Sequence, residues 1–101
     1  MVKIVWTKNA IQDLGDIGDY IAKDSVRYAE VTVTRLFTAV DILEQYPKAG
    51  KVVIDFNEEN IRELIRGAYR IVYKIVNTSR IDILTVHHTS RLLRDLINLS
   101  D

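Results

Sequence analysis

The chain has 101 residues, no cysteine and equal numbers of basic and acidic side chains, so its formal net charge is zero. This length predicts a single domain over residues 1–101, with one core and no separate catalytic module. The lack of cysteine excludes a disulfide framework, a thiolate nucleophile and a thiolate metal site. No N-terminal apolar run resembles a signal peptide or a membrane span, which predicts a cytoplasmic protein without a membrane partner.

The zero net charge conceals two unlike parts of the chain. Residues 1–61 hold 7 Lys/Arg against 10 Asp/Glu, whereas residues 62–94 hold 7 Lys/Arg against 2 Asp/Glu, which gives net charges of −3 and +5. The basic part predicts a surface that faces a polyanion or an acidic protein segment, and Arg62, Arg66 and Lys74 are its candidate residues. A sheet surface that faces only solvent is the alternative that charge alone leaves open.

The first elements along the chain are a strand and an amphipathic helix. Alternation of side chains from Val2 to Trp6 is typical of a strand, and Thr7 can cap the helix that follows. The apolar stripe of this helix, at steps of four, three and four, consists of Ala10, Leu14, Ile17 and Ile21. Asp13, Asp16 and Asp19 fall on the opposite side.

A second helix follows after a short break. The pair Asp24-Ser25 supplies its cap, and apolar residues then recur every three or four positions for about six turns. Pro47 and Gly50 end the helix. The break at residues 23–25 is so short that the two helices must form an antiparallel hairpin, which leaves one side of the hairpin for a sheet.

The last part of the chain predicts a sheet. Residues 51–60 indicate a loop with a short edge strand. Three β-branched and aromatic runs, 61–66, 68–76 and 80–88, then predict a three-stranded antiparallel meander. A terminal helix is expected to begin at Ser90, which makes the predicted fold class α+β.

Residues with chemical potential lie on the last two strands. Arg70 and Lys74 share one face of the middle strand, because successive side chains alternate across a sheet. Strict alternation in the last strand forms two groups, His88 with Leu84 and Val86, and His87 with Ile83 and Thr85. At most one histidine can therefore share the face of Arg70, and the spacing does not say which.

Arg70, His88 and Arg91 are the candidates for ribonuclease chemistry. An arginine stabilises charge on a phosphate in the transition state, and an imidazole transfers the proton. The structural alternative is an ion pair between Arg70 and Glu63. We expect no metal and no other cofactor, because adjacent histidines on a strand face opposite sides and the chain has no phosphate-binding glycine loop.

Three segments, taken in chain order, resemble the core signature of the RelE/ParE family of bacterial toxins. They are Arg62-Glu63-Leu64, then the five residues from Tyr69 to Tyr73, then Val86, His88 and Arg91 in a V-x-H-x-x-R ending. The resemblance extends to the opening strand with Trp6, the helix pair and the P-x-x-G link from Pro47 to Gly50. It implies the family fold: an N-terminal strand, a helix hairpin, an antiparallel meander and a short C-terminal helix.

The resemblance also implies the toxin half of a type II toxin–antitoxin pair, neutralised by a cognate antitoxin. RelE-like and YoeB-like members cleave messenger RNA in the ribosome, whereas ParE-like members poison DNA gyrase. Arg70 matches the arginine of the RelE-like strand. The two lysines that RelE-like members carry on the preceding strand are replaced here by Ile61 and Glu63, and no tyrosine follows Arg91. These differences and the neutral charge favour the ParE-like target. A homologue without toxicity that only binds the antitoxin is the third alternative.

Overall fold

The computed structural model describes residues 1–90 of the chain. In chain order, the helices and strands are β1 (Lys3–Trp6), α1 (Lys8–Ala22), α2 (Val26–Ala39), β2 (Lys51–Val52), β3 (Ile61–Arg66), β4 (Tyr69–Asn77) and β5 (Arg80–His88). The predicted α+β class, with its helix hairpin and meander, is confirmed. Neither helix in this part of the chain is long and apolar enough to cross a membrane. The predicted terminal helix falls on residues outside the described range.

Both predicted helix caps are confirmed. Thr7 Oγ1 accepts a hydrogen bond of 3.1 Å from the Ala10 amide, and Ser25 Oγ accepts one of 3.0 Å from the Tyr28 amide. Each bond satisfies an amide that the first helical turn leaves without a partner.

The second helix is shorter than its sequence pattern predicted. It ends at Ala39 and continues as a 3₁₀ turn over Val40–Glu44. In a 3₁₀ turn, residues three apart lie in line, which lets Val40 and Leu43 enter the core together. Apolar steps of three and four do not distinguish this turn from a last turn of α-helix.

The strands form one mixed sheet in the order β1-β5-β4-β3-β2. Neighbouring strands are antiparallel except for β1 and β5, which run parallel, with Lys3 opposite Arg80 and Trp6 opposite Ile83. The predicted short edge strand in residues 51–60 is confirmed as β2. Alternation predicted β1 as a strand but carried no information about its neighbour.

The two faces of the sheet are packed differently. The helix face, on which Leu64, Ile71 and Tyr73 lie, packs against α1, α2 and the 3₁₀ turn in the main core. The outer face carries a smaller cluster in which Val53 covers Val72, with Phe56, Ile61 and Leu84 around them. The segment between β2 and β3 therefore covers part of the face that the helices leave open.

Tyr73 joins the P-x-x-G link to the sheet. Its side chain is fully buried, and its hydroxyl accepts from the Gly50 amide at 2.9 Å and donates to the Pro47 carbonyl at 2.7 Å. Burial raises the pKa of this phenol above its ordinary value of 10.0, an effect that the Gly50 hydrogen bond and the nearby Arg62 charge partly offset. The hydroxyl therefore stays protonated and keeps both hydrogen bonds at neutral pH.

Gly50 is required here because the sheet leaves no space for a side chain. A Cβ atom at this position would lie 2.6 Å from the Glu63 carbonyl oxygen and 2.7 Å from the Tyr73 ring. Both neighbours are fixed, one as backbone of β3 and the other as a fully buried ring.

We expect Gly50→Ala to lower the free energy of unfolding by about 1–3 kcal/mol, the usual cost of overpacking a buried site. Urea denaturation of the purified protein measures the loss. Gly15→Ala is the matched control: a Cβ at this helical position meets nothing within 4 Å. That control is expected to raise stability by about 0.5–1 kcal/mol. Equal stability of the two variants would contradict the steric argument.

Candidate functional site

The register between β4 and β5 places the two histidines on different faces. Tyr69 lies opposite His88, and Arg70 lies opposite His87. Residues directly opposite in an antiparallel pair share a face. His88 therefore lies with Tyr69 on the helix face, whereas His87 lies with Arg70 on the outer face.

A β-bulge explains why strict alternation gave the wrong groups. The register shifts between Val72 and Tyr73, so that Val72 is opposite Thr85 while Tyr73 is opposite Ile83. The extra residue is Leu84, which packs in the outer cluster, whereas Val86 belongs to the main core. The prediction that His88 lies with both Leu84 and Val86 is therefore wrong, because a bulge breaks the period of two.

Three polar side chains, from the cap and the first turns of α1, hold the bulge. Thr7 Oγ1 donates to the Ile83 carbonyl at 2.6 Å, and Asn9 Nδ2 donates to the Leu84 carbonyl at 3.0 Å. Asp13 Oδ2 accepts from the Thr85 hydroxyl at 2.5 Å and from the Val86 amide at 3.0 Å. Asp13 was predicted on the side of the helix away from the core, and this placement is wrong: its carboxylate satisfies β5 groups at the bulge.

Arg70 forms an ion pair with Glu63 on the outer face. The Arg70 Nε atom lies 3.7 Å from Glu63 Oε2, and the side chains of Arg70 and Glu63 are 22% and 8% exposed. The structural alternative considered for Arg70 is thus realised. A carboxylate this buried needs a compensating cation, which ties the arginine charge to the protein itself.

His88 has its own local partner on the helix face. Its Nδ1 accepts a hydrogen bond of 3.1 Å from the Ser90 amide and lies 2.8 Å from Ser90 Oγ. Its ring meets the Tyr69 ring edge to face, with 5.7 Å between centroids. The structure therefore does not bring Arg70 and His88 together, and Arg91 lies outside the described residues.

The three basic candidates also fail to form a single surface. Arg62 and Arg66 lie opposite Tyr73 and Tyr69 on the helix face, whereas Lys74 lies on the outer face opposite Ile61. Only 12% of the Arg62 side chain is exposed. Its guanidinium donates to the Gly50 carbonyl at 2.9 Å and to the Glu59 carbonyl at 3.0 Å, so it fixes the link rather than facing a partner.

Sequence reasoning missed a cleft of about 560 Å³ between α1 and the end of β5. Asp13 and Asp16 line one side of it, and Tyr69 and His88 line the other. The available signal was the step of three between the two aspartates, which places both on one helical face. Their position beside the end of β5 depends on contacts between segments that are distant in the chain.

We expect Arg70→Ala to destabilise the fold by about 1–3 kcal/mol, because it leaves the buried Glu63 carboxylate without its cation. A double-mutant cycle with Glu63→Leu, Arg70→Met and their combination, measured by urea denaturation, separates the pair from general packing. The double variant is expected to be more stable than Arg70→Met alone. Strict additivity of the single effects would contradict the ion pair.

Comparison with known proteins identifies the family. The profile described as "ParE toxin of type II toxin-antitoxin system, parDE" matches residues 4–93. Toxin RelE2 of Caulobacter vibrioides is 33% identical over 92 residues, which cover 91% of this chain and 100% of that toxin. The putative toxin Y4kP of Sinorhizobium fredii is 39% identical over 88 residues, which cover 85% of this chain and 86% of that protein.

Two solved structures share the fold. One is the chromosomal ParDE TA system from P. aeruginosa, with a TM-score of 0.70 and 23% identity, covering 87% of this chain and 96% of that one. The other is the toxin–antitoxin complex RelBE2 from Mycobacterium tuberculosis, with a TM-score of 0.54 and 24% identity, covering 86% and 96%. The profile match over residues 4–93 and the 33% identity with Toxin RelE2 show that the chain belongs to the ParE toxin family of type II toxin–antitoxin systems.

Proposed function

We propose that this toxin is neutralised by a cognate antitoxin and arrests growth by poisoning DNA gyrase, as ParE-like members do, without cleaving RNA. The observation that carries the proposal is the separation of Arg70 and His88 onto opposite faces of the sheet. Phosphodiester cleavage requires the charge-stabilising group and the proton carrier to reach the same reacting group. Two side chains with a sheet between them do not meet this requirement.

The charge around Arg70 supports the same proposal. The positions of the RelE-like lysine pair are occupied by Ile61, which packs in the outer cluster, and by Glu63, which pairs with Arg70. A carboxylate in this position repels a phosphate and reduces the positive potential of the arginine. The family resemblance implies two lysines at these positions in a RelE-like enzyme. The outer face of this protein, which lacks them, is therefore less suited to binding RNA.

Ribosome-dependent cleavage of messenger RNA is the second candidate, and one observation favours it. His87, rather than His88, lies opposite Arg70 on the outer face. A cleaving toxin would use the pair Arg70 and His87, with the Glu63 contact broken when RNA binds. The identity of 33% with Toxin RelE2 keeps this candidate in the experiment.

Growth arrest on induced expression tests the choice between the two mechanisms. Wild type is compared with Arg70→Lys, His87→Ala and His88→Ala, and RNA ends and DNA breaks are mapped in the same cells. We expect DNA double-strand breaks and intact messenger RNA. In all folded variants, the strength of the growth arrest is expected to stay within about tenfold of that of wild type. Loss of general acid–base catalysis would instead reduce cleavage by about 100-fold or more.

Arg70→Lys keeps the cation beside Glu63, so it separates the chemistry of the guanidinium from the stability of the ion pair. RNA ends at fixed codon positions that vanish in a soluble, folded His87→Ala variant would overturn the gyrase proposal. A wild-type protein that causes no arrest would instead identify a binding module without toxicity.

For the antitoxin, we propose an acidic segment that folds on binding and pairs with basic residues of one face. Arg66 and Lys74 lie on opposite faces, so a segment on one face meets only one of them. Charge reversal at the contacted residue is expected to weaken antitoxin binding by at least about tenfold and to reduce its salt dependence. Calorimetry with Arg66→Glu and Lys74→Glu, each the control for the other, identifies the face. Unchanged affinity in both variants would contradict an acidic segment.

A further inference from the structure

The cleft between α1 and the end of β5 has a lining suited to a cation. Of the ten described residues that line it, two carry a carboxylate and none is a lysine or arginine. Four of the ten have aromatic side chains, namely Tyr20, Tyr69, His87 and His88. The two carboxylates repel phosphate, so this lining favours a cation over nucleic acid as the occupant.

The two carboxylates are engaged to different degrees. Asp13 already accepts two hydrogen bonds from β5, so its role is in the fold. Asp16 is exposed and accepts a single described hydrogen bond, of 2.9 Å, from the side chain of Gln12 on its own helix. A carboxylate has about four acceptor positions, so Asp16 retains the capacity to accept a bidentate donor.

One ring that lines the cleft, that of Tyr20, already has a cation over it. The Lys23 ammonium lies 5.6 Å from the centroid of the Tyr20 ring at the rim of the cleft. Tyr20 is 73% exposed, and a cation–π contact at such an exposed ring is weak, so a stronger ligand can replace the ammonium. The ring of Tyr69 is half-buried and meets the His88 ring edge to face, so it provides a second aromatic surface in the cleft.

We propose that this cleft binds an arginine side chain of the antitoxin. A guanidinium pairs bidentately with a carboxylate and stacks on a tyrosine at the same time, whereas an ammonium offers only a point charge. The volume of about 560 Å³ accommodates the arginine and a neighbouring apolar side chain over Ile17 and Val86. The identity of the partner rests on the proposed function, but the chemistry of the cleft does not.

The first arm of the test uses a small probe with the purified toxin. NMR titration with N-acetylarginine amide is expected to shift the ring signals of Tyr69 and His88 with a millimolar Kd, and N-acetyllysine amide is expected to bind more weakly. Asp16→Asn should weaken the arginine probe roughly two- to fivefold, as for an exposed ion pair. Asp19→Asn is the matched control, since Asp19 is an exposed carboxylate on the same helix outside the cleft.

The second arm measures growth arrest and its rescue by the coexpressed cognate antitoxin. Asp16→Asn is expected to arrest growth like wild type but to be rescued less well, whereas Asp19→Asn is rescued normally. Equal probe binding by both variants overturns the site. Loss of arrest in Asp16→Asn alone assigns the cleft to the toxin's target and overturns the antitoxin as its occupant. If even wild type causes no arrest, the proposed function fails. The probe titration still tests whether the cleft binds an arginine side chain.

Discussion

The hydrogen bonds between the start of α1 and the bulge in β5 determine which face each of the last strand's side chains occupies. Thr7, Asn9 and Asp13 hydrogen-bond backbone groups of residues 83, 84 and 86 and the hydroxyl of residue 85. With the bulge held there, Ile83 and Val86 both enter the main core although they are three residues apart. The same contacts therefore fix the core and place the two histidines.

Charge on this protein is organised by pairs within the fold rather than by surfaces. Glu63 and Arg70 form a partly buried ion pair on the outer face, and the Arg62 guanidinium donates a hydrogen bond to the Gly50 carbonyl of the link. On β5, the Arg80 guanidinium hydrogen-bonds both oxygens of Asp82 and so lowers the pKa of that carboxyl. The net charge of the basic part thus overstates the positive potential that it presents, because several of its cations already have anionic or carbonyl partners.

Sequence periodicity predicted the helices, the meander and the caps at Thr7 and Ser25, since these depend on residues close together in the chain. It did not predict the parallel partner of β1, the 3₁₀ turn at Val40 or the bulge, because each depends on contacts between distant segments. For the site, residue types identified Arg70 and both histidines as candidates. Which of them share a face depended on one extra residue in β5, and a register shift leaves no signal in a single strand's pattern.

Strand β1, near the start of the described residues, pairs in parallel with β5, near their end, and Lys3 lies opposite Arg80. In the sheet, β5 lies between β1 and β4. Neither of these two strands can therefore complete its pairing on that side until β5 is present. Such long-range pairing forms late, because a large loop must close first. A chain that lacks β5 therefore leaves β1 without its partner strand and β4 with only β3, so it cannot form the complete sheet.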